Sequence, residues 1–192
     1  MNNPLLTKSL LPYGAPQFDK IRTEHYLPAF DSCITEPLAE IHRIPETTKI
    51  PSFANTIEAL EYSGKTLSGV SDIFYNILEA DADDELQEIA EKVSPMMTRY
   101  SMYVSLNEKL FARVKAVYEA KDQLNLAQDQ KRLLEQTYKS FARQGANLSG
   151  EDKNIYSEKR ERLSLLSLQF GKNVLAATNA FVLNITDEKD LE

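Results

Sequence analysis

The chain has 192 residues, 42% apolar and 27% charged, the balance of a folded globular protein that can bury a core without disulfides or a structural metal. A formal charge of -7 excludes nucleic acid as the main partner, because phosphate binding needs a basic face that releases counterions. The single cysteine, Cys33, excludes an internal disulfide and fits a cytoplasmic setting while leaving an exported form open, and no apolar run reaches the ~18 residues of a membrane span.

Seven of the eight prolines lie in the first 51 residues and none follows Pro95. The chain therefore reads as an extended arm over 1–22, a helical domain over 23–180, and a final piece over 181–192. In the arm, Leu10, Leu11, Tyr13, Phe18 and Ile21 lack helical spacing and suit laying over another surface. Thr23 is placed to cap a first helix whose Leu27, Phe30, Ile34, Leu38 and Ile41 step by three and four. Pro28 falls near its start, but Pro37 falls inside it and predicts a kink or break.

After a linker from Pro45 to Pro51, Ser52 or Asn55 opens a second helix with Ile57, Leu60, Leu67, Val70, Phe74, Ile77 and Leu78 inward. Gly64 and Gly69 mark close helix approach. The acids Asp81, Asp83 and Asp84 suit the positive end of a third helix carrying Leu86, Ile89, Val93, Met97, Tyr100 and Val104, bent at Pro95. Asn107 caps a fourth helix through Leu110, Phe111, Val114, Val117 and Tyr118. A fifth runs through Leu133, Leu134, Tyr138 and Phe141 to a stop at Gly145.

Ser149 or Gly150 begins the longest helix, whose stripe Leu163, Leu166, Phe170, Val174 and Ala177 predicts antiparallel packing on a neighbouring long helix. From Phe181 the period changes to two, with Phe181, Leu183 and Ile185 opposite Val182 and Asn184, a short strand signal. That strand either stays unpaired or has its partner in sequence beyond this chain, which marks 181–192 as a short strand and truncated connection. The fold class is all-α, an antiparallel bundle of about six helices with an extended N-terminal arm and a short C-terminal strand.

Chemical motifs fail one by one. Ala59-Leu60-Glu61-Tyr62-Ser63-Gly64-Lys65-Thr66 resembles a relaxed phosphate loop, yet a phosphate loop must follow a buried strand, and Leu60 to Tyr62 continue a helical stripe. Asp81 to Glu85 lacks the turn glycine and the twelfth-position acid of a calcium loop, where Leu86 and Lys92 stand. His25 and His42 are not one helical turn apart, neither lies in H-E-x-x-H, and Arg22 and Ala39 stand where a di-iron bundle needs glutamates. A Cys33–His25 pair has no supporting local motif. Glu58 and Glu61, one turn apart, have the spacing of a wetted helix face. Lys159-Arg160-Glu161-Arg162 reads as a solvated face, and the sequons at Asn147 and Asn184 are formal only. No catalytic or metal-binding residue is assigned, and substrate contacts are not identified.

Several strings carry a resemblance instead. Leu11-Pro12-Tyr13, Pro16-Gln17-Phe18-Asp19-Lys20-Ile21 and Glu24-His25-Tyr26-Leu27-Pro28-Ala29-Phe30 are similar to the opening of the peptidyl-dipeptidases, relatives of oligopeptidase A and thimet oligopeptidase. The likeness continues through Phe53 to Gly64, Asp84-Glu85-Leu86-Gln87, Leu106 to Val114, Gly145-Ala146-Asn147-Leu148 and Ala176-Ala177-Thr178-Asn179.

The resemblance implies a fold like the N-terminal helical part of neurolysin-like peptidases. It further implies a parent zinc metallopeptidase that cuts short peptides in a channel between two helical halves. Its zinc ligands and general base belong to an H-E-x-x-H helix and a later glutamate in the C-terminal half, so this segment is inactive alone. The implied partners are that C-terminal catalytic part and short peptides, with the segment as a wall or lid that restricts the channel mouth. The alternative is a stand-alone helical interaction module. An uncovered apolar surface also predicts weak self-association of the isolated segment.

Overall fold

The computed structural model describes residues 3–81, 83–186 and 189, with the backbone alone at 36 and 37. All regular structure among the described residues is helical, in agreement with the all-α expectation. The elements are α1 (Tyr26–Glu46), a π-helical turn Phe53–Glu58 leading into α2 (Ala59–Tyr62), α3 (Lys65–Ala80), α4 (Asp84–Ser105), α5 (Glu108–Glu119), α6 (Gln128–Arg143) and α7 (Gly150–Ala180).

Helix starts follow local side-chain chemistry. Ser52 Oγ accepts from the Asn55 N–H at 3.2 Å while Asn55 Oδ1 accepts from the Ser52 N–H at 2.9 Å, a reciprocal capping box. Asp83 Oδ1 accepts from the Leu86 N–H at 2.8 Å, and Asn107 Oδ1 from the Leu110 N–H at 3.0 Å. Thr23 makes no such cap. A 3-10 turn at Thr23–His25 precedes α1 instead, closed by the Arg22 N–H donating to His25 Nδ1 at 2.9 Å.

The interior is divided into two cores. The first joins Leu5, Tyr26, Phe30, Cys33, Leu67, Val70, Phe74, Leu86, Ile89 and Val93. The second joins Ile41, Ile44, Phe53, Ile57, Leu110, Phe111, Val114, Val117, Leu134 and Phe141. Helix α1 feeds both. It runs without a break past position 37, because burial of Phe30 and Cys33 before it and of Ile41 and Ile44 after it outweighs the single backbone bond a proline removes.

The two cores also explain why the expected second helix is divided. Ile57 belongs to one core and Leu67 to the other, and the chain changes direction at Ser63, which is extended, and Gly64, whose φ of 74° is left-handed. Gly64 is therefore a turn residue. Gly69 faces open space, so it does not mark close helix approach.

Helix α7 departs most from expectation. None of its side chains is fully buried. The stripe predicted to pack inward points to solvent, with Leu163 57%, Leu166 54% and Phe170 70% exposed. Toward α4 it presents Leu168, which rests on the first core, and the small residues Ser164, Ser167 and Gly171, which line a cleft of about 600 Å³ with Tyr75 and Leu78 of α3. Three ion pairs fasten it: Lys153 to Glu108 at 2.8 Å, Arg99 to Glu161 at 2.7 Å and Lys172 to Glu91 at 2.5 Å. Helical period alone identified a stripe but not which side of the helix meets the bundle.

Residues 181–186 form no ladder, so the strand signal has no pairing among the described residues. Of the connection expected over 181–192, residues 187, 188 and 190–192 lie outside the described residues. The arm is anchored by Leu5 in the first core and by Asn3 Nδ2 donating to the His25 carbonyl at 2.8 Å. Leu10, Leu11, Tyr13 and Phe18 are exposed, while Ile21 packs at the edge of the first core.

Candidate functional site

The residues singled out from sequence are dispersed. His25 uses Nδ1 to accept from the Arg22 N–H at the entrance to α1, while His42 is exposed near that helix's other end, ~25 Å further along at the helical rise. Cys33 is 2% exposed inside the first core, ~12 Å along the axis from His25, too far for a thiol–imidazole pair. Among the described residues no three His, Cys, Asp or Glu side chains gather, so the side chains present do not fit a zinc site.

The decoy motifs have structural occupations. Lys65 Nζ lies 4.2 Å from the centre of the Tyr62 ring, and the Ala59–Tyr62 stretch is helical with no strand before it, so the relaxed phosphate loop is a helix break. Asp83 caps α4 rather than holding calcium. Glu61 is exposed on the rim of a cleft, and Glu58 is half-buried.

That cleft, of about 610 Å³, opens between α1, α2, α4 and α6. Ile41, Leu60, Met97, Val104 and Leu133 give it apolar walls, and Gln136, Thr137 and Gln144 give it amide and hydroxyl groups. Tyr100 also lines it, and burial, with a smaller contribution from the Glu40 charge, raises its phenol above the ordinary range. The titratable side chains that line the cleft are Glu61 and Tyr100.

A polar centre that sequence patterns did not single out is Arg113, 8% exposed on α5. Its Nη1 donates to the Lys49 carbonyl at 3.0 Å and its Nη2 to Asn55 Oδ1 at 2.9 Å, tying the 47–55 linker and the capping box to the second core. The available signal was its place between Leu110 and Val117, three and four residues apart on the buried face of α5.

The most extensive candidate surface is the outer side of α7 and the tail beyond it. Leu163, Leu166, Phe170, Val174, Phe181 and Leu183 are all exposed, more contiguous apolar surface than a solvated helix ordinarily shows. No described helix is long and apolar enough to cross a membrane.

Residues 31–153 match the family described as Neurolysin/Thimet oligopeptidase, N-terminal domain. The chain belongs to that family. It is 39% identical over 96% of its length to the Dipeptidyl carboxypeptidase of Salmonella typhimurium, covering 27% of that protein. It is 27% identical over its whole length to the Oligopeptidase A of Escherichia coli, covering 28% of it, and 26% identical to the Probable cytosolic oligopeptidase A of Arabidopsis thaliana, again over the whole chain and 26% of the relative. The chain thus spans about a quarter of the length of these curated relatives and corresponds to the N-terminal region of neurolysin/thimet-type peptidases. Family membership accounts for the order of the quoted strings, and the false phosphate loop is the bend between α2 and α3.

Proposed function

We propose that the chain is the N-terminal, non-catalytic helical portion of a zinc oligopeptidase of the peptidyl-dipeptidase type, and that it forms one wall or lid of a channel admitting short peptides. The observation that carries this reading is the 39% identity to a dipeptidyl carboxypeptidase, which extends over 96% of the chain but only 27% of the relative. The apolar-walled cleft and the dispersed histidines support a role in shaping rather than cutting. The zinc, its ligands and the general base then belong to the downstream part of the parent, which works in the cytoplasm. A narrow helical entrance selects by size and flexibility without sequence-specific contacts, which suits general peptide turnover.

Two measurements test the proposal. The parent reading frame must contain H-E-x-x-H and a later glutamate downstream of Glu192, and a frame without them overturns it. Replacing this segment in the parent by that of a relative with a different substrate length limit should move the limit. An unchanged limit removes the wall role while leaving the family assignment intact.

A further inference from the structure

We infer that the outer side of α7, with the tail that follows, is a docking seam for the downstream remainder of the same polypeptide. The inference rests on reading the chain as part of a longer peptidase, and it assigns one face to one occupant. From Leu163 to Thr186 the only charged residue is Lys172. Its ammonium is turned inward onto Glu91, so the outward side of this stretch carries no charge at all. A helix side meant for water is normally rich in charged residues, and this chain has 27% of them to distribute. Instead Leu163, Leu166, Phe170 and Val174 continue into Phe181 and Leu183, all exposed. The inner side of α7 is the poorer in apolar contact, with small residues and three ion pairs. The helix therefore meets this bundle through its weaker side and leaves its stronger side for something else.

Three occupants compete. A membrane surface is disfavoured by the net charge of -7 and by the excess of acids over bases just after the apolar stretch, where Asp187, Glu188 and Asp190 outnumber Lys189. A second copy must present the same patch to itself. Laying Leu163–Val174 antiparallel on its own copy sets the last helical turn, Ala177 to Ala180, against Ser157 to Arg160, where Glu158, Lys159 and Arg160 are charged. Nearly three quarters of each relative's length lies outside the match, chain enough to cover this face without the symmetry that a second copy imposes.

The test uses maleimide labelling of Phe170→Cys and, separately, Leu166→Cys, in this chain and in the full parent, read by mass spectrometry on the peptide bearing the new thiol. Each rate is normalised to that of the unfolded chain. Both positions are exposed, so neither substitution disturbs a core, and Cys33 is buried. The expected result is rapid labelling in the chain alone at low micromolar concentration and roughly tenfold or greater slowing in the parent. Equally rapid labelling in both overturns the seam. Slow labelling in the chain alone that recovers on dilution assigns the face to a second copy and overturns it too. A parent without a downstream zinc motif defeats the broader reading instead, and is seen before any labelling is done.

Discussion

Arg113 shows how one buried cation can hold a linker in place. Its guanidinium reaches the Lys49 carbonyl and Asn55 Oδ1, and Asn55 in turn accepts from Ser52 and donates from Nδ2 to the Ile50 carbonyl at 2.9 Å. Removing it takes the Arg113 donor from the Lys49 carbonyl and unties α5 from Asn55 Oδ1, which keeps only its local donors, the Ser52 N–H and Thr56 Oγ1. Arg113→Ala should lower unfolding stability by ~2–4 kcal/mol in a denaturant titration, whereas Arg162→Ala on the exposed side of α7 should stay within ~0.5 kcal/mol. Arg113→Lys keeps the charge but cannot reach two acceptors in different directions, so its loss should fall between them.

The glycines separate in a similar way. Gly145 has a φ of 87°, and a Cβ there would meet Leu148 Cδ1 at 3.0 Å and Tyr156 Cε1 at 3.3 Å. Gly69 lies within α3 with open space around it. Gly145→Ala should therefore cost ~1–3 kcal/mol and Gly69→Ala should gain ~0.5–1 kcal/mol, so thermal melts should shift in opposite directions. The stop at Gly145 was legible in the sequence because a glycine after a periodic run has a local meaning. Arg113 was not, because a long cationic side chain beside an apolar stripe ordinarily reaches water, and only the fold shows carbonyls waiting for it.

At the scale of elements, helix starts were legible and helix faces less so. Ser52, Asp83 and Asn107 cap within three residues of themselves, so their chemistry is written locally. The division at Ser63 and Gly64 depends on two cores that exist only after folding, and the inner side of α7 depends on which partner it meets. Ion pairs make that attachment sensitive to solution conditions. A hydrogen bond from Lys153, and then its charge, hold the Glu108 carboxyl below its usual range. A carboxyl whose folded value is lower than its unfolded value contributes at neutral pH and loses that contribution as pH falls through the lowered value. Hydrogen exchange over residues 150–157, corrected for intrinsic rates, should therefore rise on acidification below the ordinary carboxylate range, and also at high salt. Glu108→Gln should raise that exchange at neutral pH and flatten the acid response. An unchanged profile would show that the start of α7 is held by packing rather than by this pair.

At the scale of the whole molecule, α1 connects two cores while α7 carries apolar surface away from both. The all-α class and the family were legible because period, caps and string order agree along the chain, whereas the exposed side of α7 became visible only once Leu168 was seen to face inward in place of Phe170. The isolated chain should self-associate weakly through this surface. Association stays weak for two reasons: the antiparallel overlay sets the apolar end of each helix against Glu158, Lys159 and Arg160, and a net charge of -7 on each copy opposes approach. Added salt screens that repulsion without weakening an apolar contact, so sedimentation equilibrium should show association rising with both protein concentration and ionic strength. An interface made of ion pairs would respond to salt with the opposite sign. Phe170→Glu places a charge at the centre of the stripe and should restore the monomer under all conditions while leaving the melting temperature of the bundle unchanged, since residue 170 touches neither core. A chain that stays monomeric at high concentration and high salt would mean that this surface is too interrupted by Gln169 and Asn173 to drive contact alone, and that whatever covers it in a larger protein must add contacts of its own.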